Sequence, residues 1–193
     1  AIAQYQTSEP LVITSNVDFA LLGATGVGTR SDPYKFESLE ISDNGYCIQI
    51  QMTTAFFVIS NCKLESSEFF PVILFDNVKN GRVEQCELTG GSNGLYLIQS
   101  QDSSIEENSF YDCWNGISLF STSNSTFIDN RIHNNKNRGI IFDQSDYCFV
   151  LNNSIYSNFK HGIEILFDSH NNTIYGNSIG WNDVSGGYEV NAI

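Results

Sequence analysis

Apolar residues come in short bursts separated by polar turns, and the bursts recur at a fixed spacing. One unit reads apolar, two residues, a small polar residue or Cys, one residue, apolar. It appears as Ile59-Ser-Asn-Cys62-Lys-Leu64, Val83-Glu-Gln-Cys86-Glu-Leu88 and Ile105-Glu-Glu-Asn108-Ser-Phe110. Phe127-Ile-Asp-Asn130-Arg-Ile132, Val150-Leu-Asn-Asn153-Ser-Ile155 and Ile174-Tyr-Gly-Asn177-Ser-Ile179 continue it, and Phe36-Glu-Ser-Leu39-Glu-Ile41 precedes it. A second motif keeps the same phase: Gly94-Leu-Tyr-Leu-Ile, Gly116-Ile-Ser-Leu-Phe, Gly139-Ile-Ile-Phe-Asp and Gly162-Ile-Glu-Ile-Leu. Tyr46-Cys-Ile-Gln-Ile and Phe70-Pro-Val-Ile-Leu-Phe are its earlier equivalents. Each unit is too short for a helix pair and predicts two or three short strands joined by Gly, Asn and Ser turns.

A repeat of this length stacks into a solenoid. Ile, Val and Phe dominate its apolar places, against a leucine-rich repeat. The expected fold is all-β, a right-handed single-stranded parallel β-helix of about seven coils. Residues 1–35 are expected to cap one end, and residues 36–193 to form the solenoid, cut off at its C-terminal end within a further coil. Stacked coils place equivalent residues one strand spacing apart. The series Leu39, Cys62, Cys86, Asn108, Asn130, Asn153, Asn177 therefore predicts an inward ladder that turns from apolar to amide along the stack. Cys62 and Cys86 fall one coil apart, as a disulfide or as two buried thiols.

Charge narrows the function. With nine Lys and Arg against 22 Asp and Glu, the net charge is −13. Such a chain lacks the basic surface that holds phosphate backbones, so nucleic acid is not an expected partner. No run of eighteen apolar residues exists, and no membrane-spanning segment is expected. Five cysteines at irregular spacing form neither a disulfide framework nor a zinc motif. The chain does not begin with Met, and Ala1-Ile-Ala3 resembles the small-residue end of a signal peptide.

The repeats, with the lead-in Asp18-Phe-Ala-Leu-Leu-Gly, Gly26-Val-Gly-Thr-Arg-Ser-Asp-Pro-Tyr34 and Thr54-Ala-Phe-Phe-Val-Ile-Ser-Asn-Cys62, resemble parallel β-helix repeat proteins. The likeness is to the NosD type and the carbohydrate-binding and sugar-hydrolase group, and to archaeal surface proteins with this repeat. It covers nearly the whole chain and implies an extracellular or cell-surface location.

Strand alternation then nominates sites. Ile73, Phe75, Tyr96, Ile98, Phe120 and Ile141 are expected to face outward as an apolar contact surface for a glycan, a surface protein or a second copy of the chain. Glu107, Asp129 and Arg131 form an outward acidic ladder, with His133 just beyond. Two stacked carboxylates fit the separation of a retaining glycosidase pair and could also bridge calcium. Otherwise no cofactor or metal is expected. One Met and three separated His make a poor copper site. No Gly-x-Ser-x-Gly elbow occurs, and the Asp-Pro-His-Asp pattern of alginate epimerases is absent. The Gly23–Gly28 loop lacks the Lys and the following helix of a phosphate loop. The reading is a binding or scaffold module without catalysis of its own. The alternative is a polysaccharide lyase, hydrolase or epimerase built on Glu107, Asp129 and Arg131. Sequons at Asn124, Asn152 and Asn171 are expected on outward turns.

Overall fold

A computed structural model describes residues 5–182. Each coil carries three short strands, and the coils stack in parallel register into three sheets. One turn runs through Ser104–Glu106, Ser109–Tyr111 and Asn115–Phe120. The middle strand belongs to sheet 1, an eight-stranded sheet made of Gln6–Thr7, Leu39–Asp43, Lys63–Ser66, Glu87–Thr89, Ser109–Tyr111, Arg131–His133, Ser154–Tyr156 and Ser178–Gly180. The last strand belongs to seven-stranded sheet 2 (Leu11–Ile13 through Ile163–Ile165), the first to seven-stranded sheet 3 (Tyr34–Glu37 through Thr173–Tyr175). The right-handed solenoid has about six turns, fewer than the seven expected. The difference lies in the last repeat. Six coils carry all three strands, and within the described residues that last repeat contributes strands to sheets 3 and 1.

The N-terminal segment does more than cover an end. Gln6–Thr7 and Leu11–Ile13 add half a coil, paired to Leu39–Glu40 and Ile48–Ile50. A short helix, Asn16–Leu21, then turns across the core, started by Ser15 with the Asp18 carboxylate folding back on the Ser15 N–H. It buries Phe19, whose ring stacks on Tyr34 at 4.8 Å and packs against Phe36 and Phe57. That aromatic plug closes the first coil to water.

Four bends per coil hold the tube together. In the turn that starts at Ser104 each is a single residue in the left-handed region followed by an inward small or polar residue: Glu107-Asn108, Asp112-Cys113, Ser121-Thr122 and Asn124-Ser125. Twenty-one non-glycine residues among those described have this positive φ, far above the few per cent ordinary for proteins. Asn, Asp, Gln and Ser dominate because their short polar side chains tolerate the left-handed region best. The inward residue then satisfies the bend. Asn130 accepts from the Asn108 N–H (3.0 Å) and the Asn108 amide (3.1 Å), and donates to Ile105 O (2.8 Å) and to Asn153 Oδ1 (3.0 Å). The expected ladder of Asn108, Asn130, Asn153 and Asn177 is therefore continuous.

A second ladder, Asn135–Asn158–Asn182, runs at the bend between sheets 1 and 2, and Ser and Thr hydroxyls do the same work at the other two bends. Cys86 and Cys113 occupy ladder places too, each taking the next Asn carbonyl through its N–H. All five cysteines are buried free thiols. Cys62 and Cys86 point their sulfurs at Ser60 O and Glu84 O, both at 3.2 Å. Burial pushes Cys47 and Cys113 up to about 12 and Cys148 up to about 11, so these thiols stay protonated and serve packing.

The core is a column of Ile, Val, Leu and Phe along the axis. Glycine is required where coils approach closely: a Cβ on Gly116 would lie 2.6 Å from both Gly139 O and Ile132 Cγ2. The register corrects one expectation. Leu95 pairs with Ile73 and Leu97 with Phe75, so Ile73 and Phe75 point inward and are 0% exposed. Leu74 and Asp76 take the outward places. The run Val72-Ile-Leu-Phe75 is apolar at every position, so its sequence carries no alternation, and hydrogen-bond register alone sets its faces.

Two outcomes test this account. Asn130→Leu strands the Ile105 carbonyl and the Asn108 N–H together, and should cost at least about 2 kcal/mol in urea unfolding. Tyr147, more than half exposed with φ 55, carries a ring where Asn belongs. Tyr147→Asn should gain about 0.5–1 kcal/mol, read as a melting temperature higher by about 2–3 °C.

Candidate functional site

The nominated residues fall on different faces. Tyr96, Ile98, Phe120 and Ile141 lie outward on sheet 2, stacked with Leu74, Asp76, Ser118, Asp143 and Glu164. All four are only partly exposed, while Leu74 and Ser118 are buried. The face ends in polar groups, since Arg138 pairs with Glu164, which also faces His161. Burial, then the Asp143 charge, raises the Tyr96 phenol.

The acidic ladder divides at a bend. Glu84 and Glu106 stand on sheet 3, both held by Arg82, at 2.7 and 3.0 Å. Glu107 and Asp129 are left-handed bend residues one coil apart, and Glu107 accepts from the Gln85 amide at 2.8 Å. Arg131 lies beyond the bend, on sheet 1, with its Nε donating to the Tyr156 hydroxyl. The single outward sheet expected for these residues is thus two sheets with a corner between them. Bend geometry already accounts for the polar side chains at 107 and 129. It accounts equally for Asn124, Asn152 and Asn171, which all occupy exposed left-handed bends. Among the described residues, no group of three or more His, Cys, Asp and Glu side chains converges as a metal-ligand set.

Sheet 1 carries the feature that sequence reading missed. Tyr111, His133 and Tyr156 occupy one outward column on successive strands. Their rings stack at 5.5 and 5.1 Å with interplanar angles of 7° and 5°. The Arg131 guanidinium sits 5.5 Å from the centre of the Tyr156 ring. The spacings of 22 and 23 residues were present in the sequence, where His133 stood beside the acidic ladder and neither tyrosine was singled out.

Below Tyr111 the column continues through small or flexible residues, Thr89, Glu65 and Ser42. They leave a groove of about 230 Å³ lined by Glu40, Ser42, Lys63, Glu65, Glu87, Thr89 and Tyr111. His133 covers one face of Tyr111, and the other is turned toward Thr89 and the groove. Burial raises the Tyr111 phenol, reinforced by the charges of Glu87, Asp112 and Glu65.

The model of the right-handed β-helix region matches residues 24–179. The chain belongs to the right-handed β-helix family.

Among solved structures, the β-helix resembles a point mutant of the periplasmic alginate epimerase AlgG, at 22% identity and a TM-score of 0.64, over 74% of this chain and 39% of that one. It also resembles the A-module of the mannuronan C-5 epimerase AlgE6 of Azotobacter vinelandii, at 11% identity and a TM-score of 0.61, over 76% of this chain and 51% of the other. The chain thus spans two-fifths to half the length of these relatives, and at such identities the likeness is one of fold. No curated protein matches it. Among the described residues, no helix is long and apolar enough to cross a membrane.

On the β-helix, the sheet 1 column offers an aromatic face, hydroxyls and free carboxylates side by side along a flat parallel sheet. That combination suits a ligand with an apolar ring face and a polar rim.

His133 gives the column a pH signature. Burial, then the Arg131 charge, lowers its pKa, with Asp112 opposing, and its Nδ1 is buried without a partner. The folded state therefore resists protonation that the unfolded chain accepts near pH 6.5. The His133 contribution to stability is full above that value and falls away as the pH drops through the lowered folded pKa. Comparing chemical denaturation at pH 7.5 and pH 5, His133→Phe should keep the stack and lose this part of the acid destabilisation.

Proposed function

We propose that the β-helix is a glycan-binding module working outside the cytoplasm, and that it binds without turning its ligand over. The observation that carries this reading is the Tyr111–His133–Tyr156 stack ending in an open aromatic face over a carboxylate-lined groove. A stack alone would serve stability, since each aromatic pair contributes about 0.5–1.5 kcal/mol. A stack that stops at Thr89, with its last ring lining a groove, also offers a place for a sugar ring. Sugars present an apolar C–H face that packs on an aromatic ring, and equatorial hydroxyls that donate to carboxylates.

The long flat sheet suits a polymer lying along or across successive strands. Two relatives in fold are named for epimerising alginate and mannuronan, which supports a polysaccharide as the ligand class. The resemblance to NosD-type and archaeal surface proteins supports a location outside the cytoplasm. Exposed aromatics continue around the neighbouring bend, where Trp114 (53% exposed), Phe159 and Phe69 (85%) border sheet 1. They widen the surface available to a polymer.

The test is a polysaccharide panel read by affinity electrophoresis and by product release. The wild-type chain should be retarded by at least one polysaccharide and release no reducing ends or unsaturated products. Tyr111→Ala should weaken retardation at least tenfold while the melting temperature falls by only a few degrees. Turnover of any panel member, or binding unchanged in Tyr111→Ala, defeats the proposal.

A further inference from the structure

The sugar class follows from the charges around Tyr111. We infer that the groove beside this ring takes a sugar bearing a free amine, as in a glucosamine-containing glycan, and rejects uronates. This rests on the glycan-binding reading and narrows it.

Three carboxylates, those of Glu40, Glu65 and Glu87, line the groove with a single Lys63. Among the described residues none of the three is held in an ion pair; the pairs formed involve Lys79, Arg82, Lys136, Arg138, His161 and His170. Lys63 stands between Glu40 and Glu87 in register but turns its ammonium over the Tyr5 ring, 4.7 Å from its centroid, so it pairs closely with neither and offsets one charge of the three. All three carboxylates are exposed and need no buried partner. The groove is therefore negative and open, with an aromatic face at one end.

An ammonium group is attracted to both features, to the carboxylates by charge and to the ring by its quadrupole. The negative potential is felt at the ring itself, since Glu87 and Glu65 both help to raise the Tyr111 phenol. A uronate meets the opposite situation. Of the nine Lys and Arg in the chain, Lys79, Arg82, Lys136 and Arg138 are spent on acidic partners. Arg131 is committed to Tyr156, and the groove lining sets one Lys63 against three carboxylates. With a net charge of −13, a polyanion is repelled before it arrives. The family fold is thus shared with enzymes named for alginate and mannuronan, while the groove favours the opposite charge.

The test titrates the wild-type chain with three oligosaccharides of equal length: a glucosamine oligomer, its fully N-acetylated form and a uronate oligomer. Calorimetry at low salt should show the glucosamine oligomer binding at least tenfold more tightly than the N-acetylated form, and no uronate binding. The preference should shrink in 0.5 M NaCl and vanish in Glu65→Gln/Glu87→Gln, whose melting temperature should stay within a few degrees of wild type. Equal affinity for the amine and N-acetyl forms overturns the charge inference and leaves the glycan reading standing. Preference for uronate overturns it outright, as does a preference that survives the double variant. Binding of none of the three, with the polysaccharide panel also blank, removes both.

Discussion

Most bends of this solenoid turn on one left-handed residue, and the rest of the molecule depends on satisfying what that turn exposes. A bend interrupts strand pairing and leaves a backbone N–H and a carbonyl facing the dry interior. At the bend with the Asn ladder, the Asn of the next coil closes both: Asn108 takes the Cys86 N–H and the Val83 carbonyl, Asn130 those of Asn108 and Ile105, and Asn153 those of Asn130 and Phe127. The amides therefore link turns rather than only lining them. Their strength comes from burial, since an unpaired polar group in the same place would cost more than a typical hydrogen bond returns.

This construction separates inside from outside. Inward places are fixed by packing and by the ladders, so their chemistry is limited to aliphatics, Phe, Cys, Asn, Ser and Thr. Outward strand places are free to vary, because sheet pairing uses only the backbone. Tyr111, His133 and Tyr156 can stack there without disturbing the core, and Thr89 can open a groove beneath them. A binding surface on such a scaffold is written in columns, one residue per coil. The family match and the structural relatives share the scaffold.

The charge pattern follows from the same division. Acidic residues on sheet 3 are paired through Arg82, whereas those around the sheet 1 groove are left open. The negative charge of the chain is thus unevenly used, quenched where strands carry mixed charges and available beside the Tyr111 face that lines the groove.

The repeat was legible in the sequence because a solenoid coil is a local object. Its inward residues, its bend residues and its length recur within every 22 to 24 positions, so Asn108, Asn130 and Asn153 announced their ladder and Leu95, Leu97, Ile117 and Leu119 their core face. The second Asn ladder was equally periodic, and was overshadowed by the more regular motif beside it. Two things needed the tertiary structure. Parity of the run Val72-Ile-Leu-Phe75 was undetermined, because four apolar residues in a row fit either face, and only pairing to Gln49 and Tyr96 placed Leu74 outward and Ile73 and Phe75 inside. The site was undetermined for a related reason. Tyr111, His133 and Tyr156 each stand just beyond the repeat motif, three residues after Asn108, Asn130 and Asn153; that their rings stack into one surface beside a groove is decided by the register and the side-chain packing of their strands.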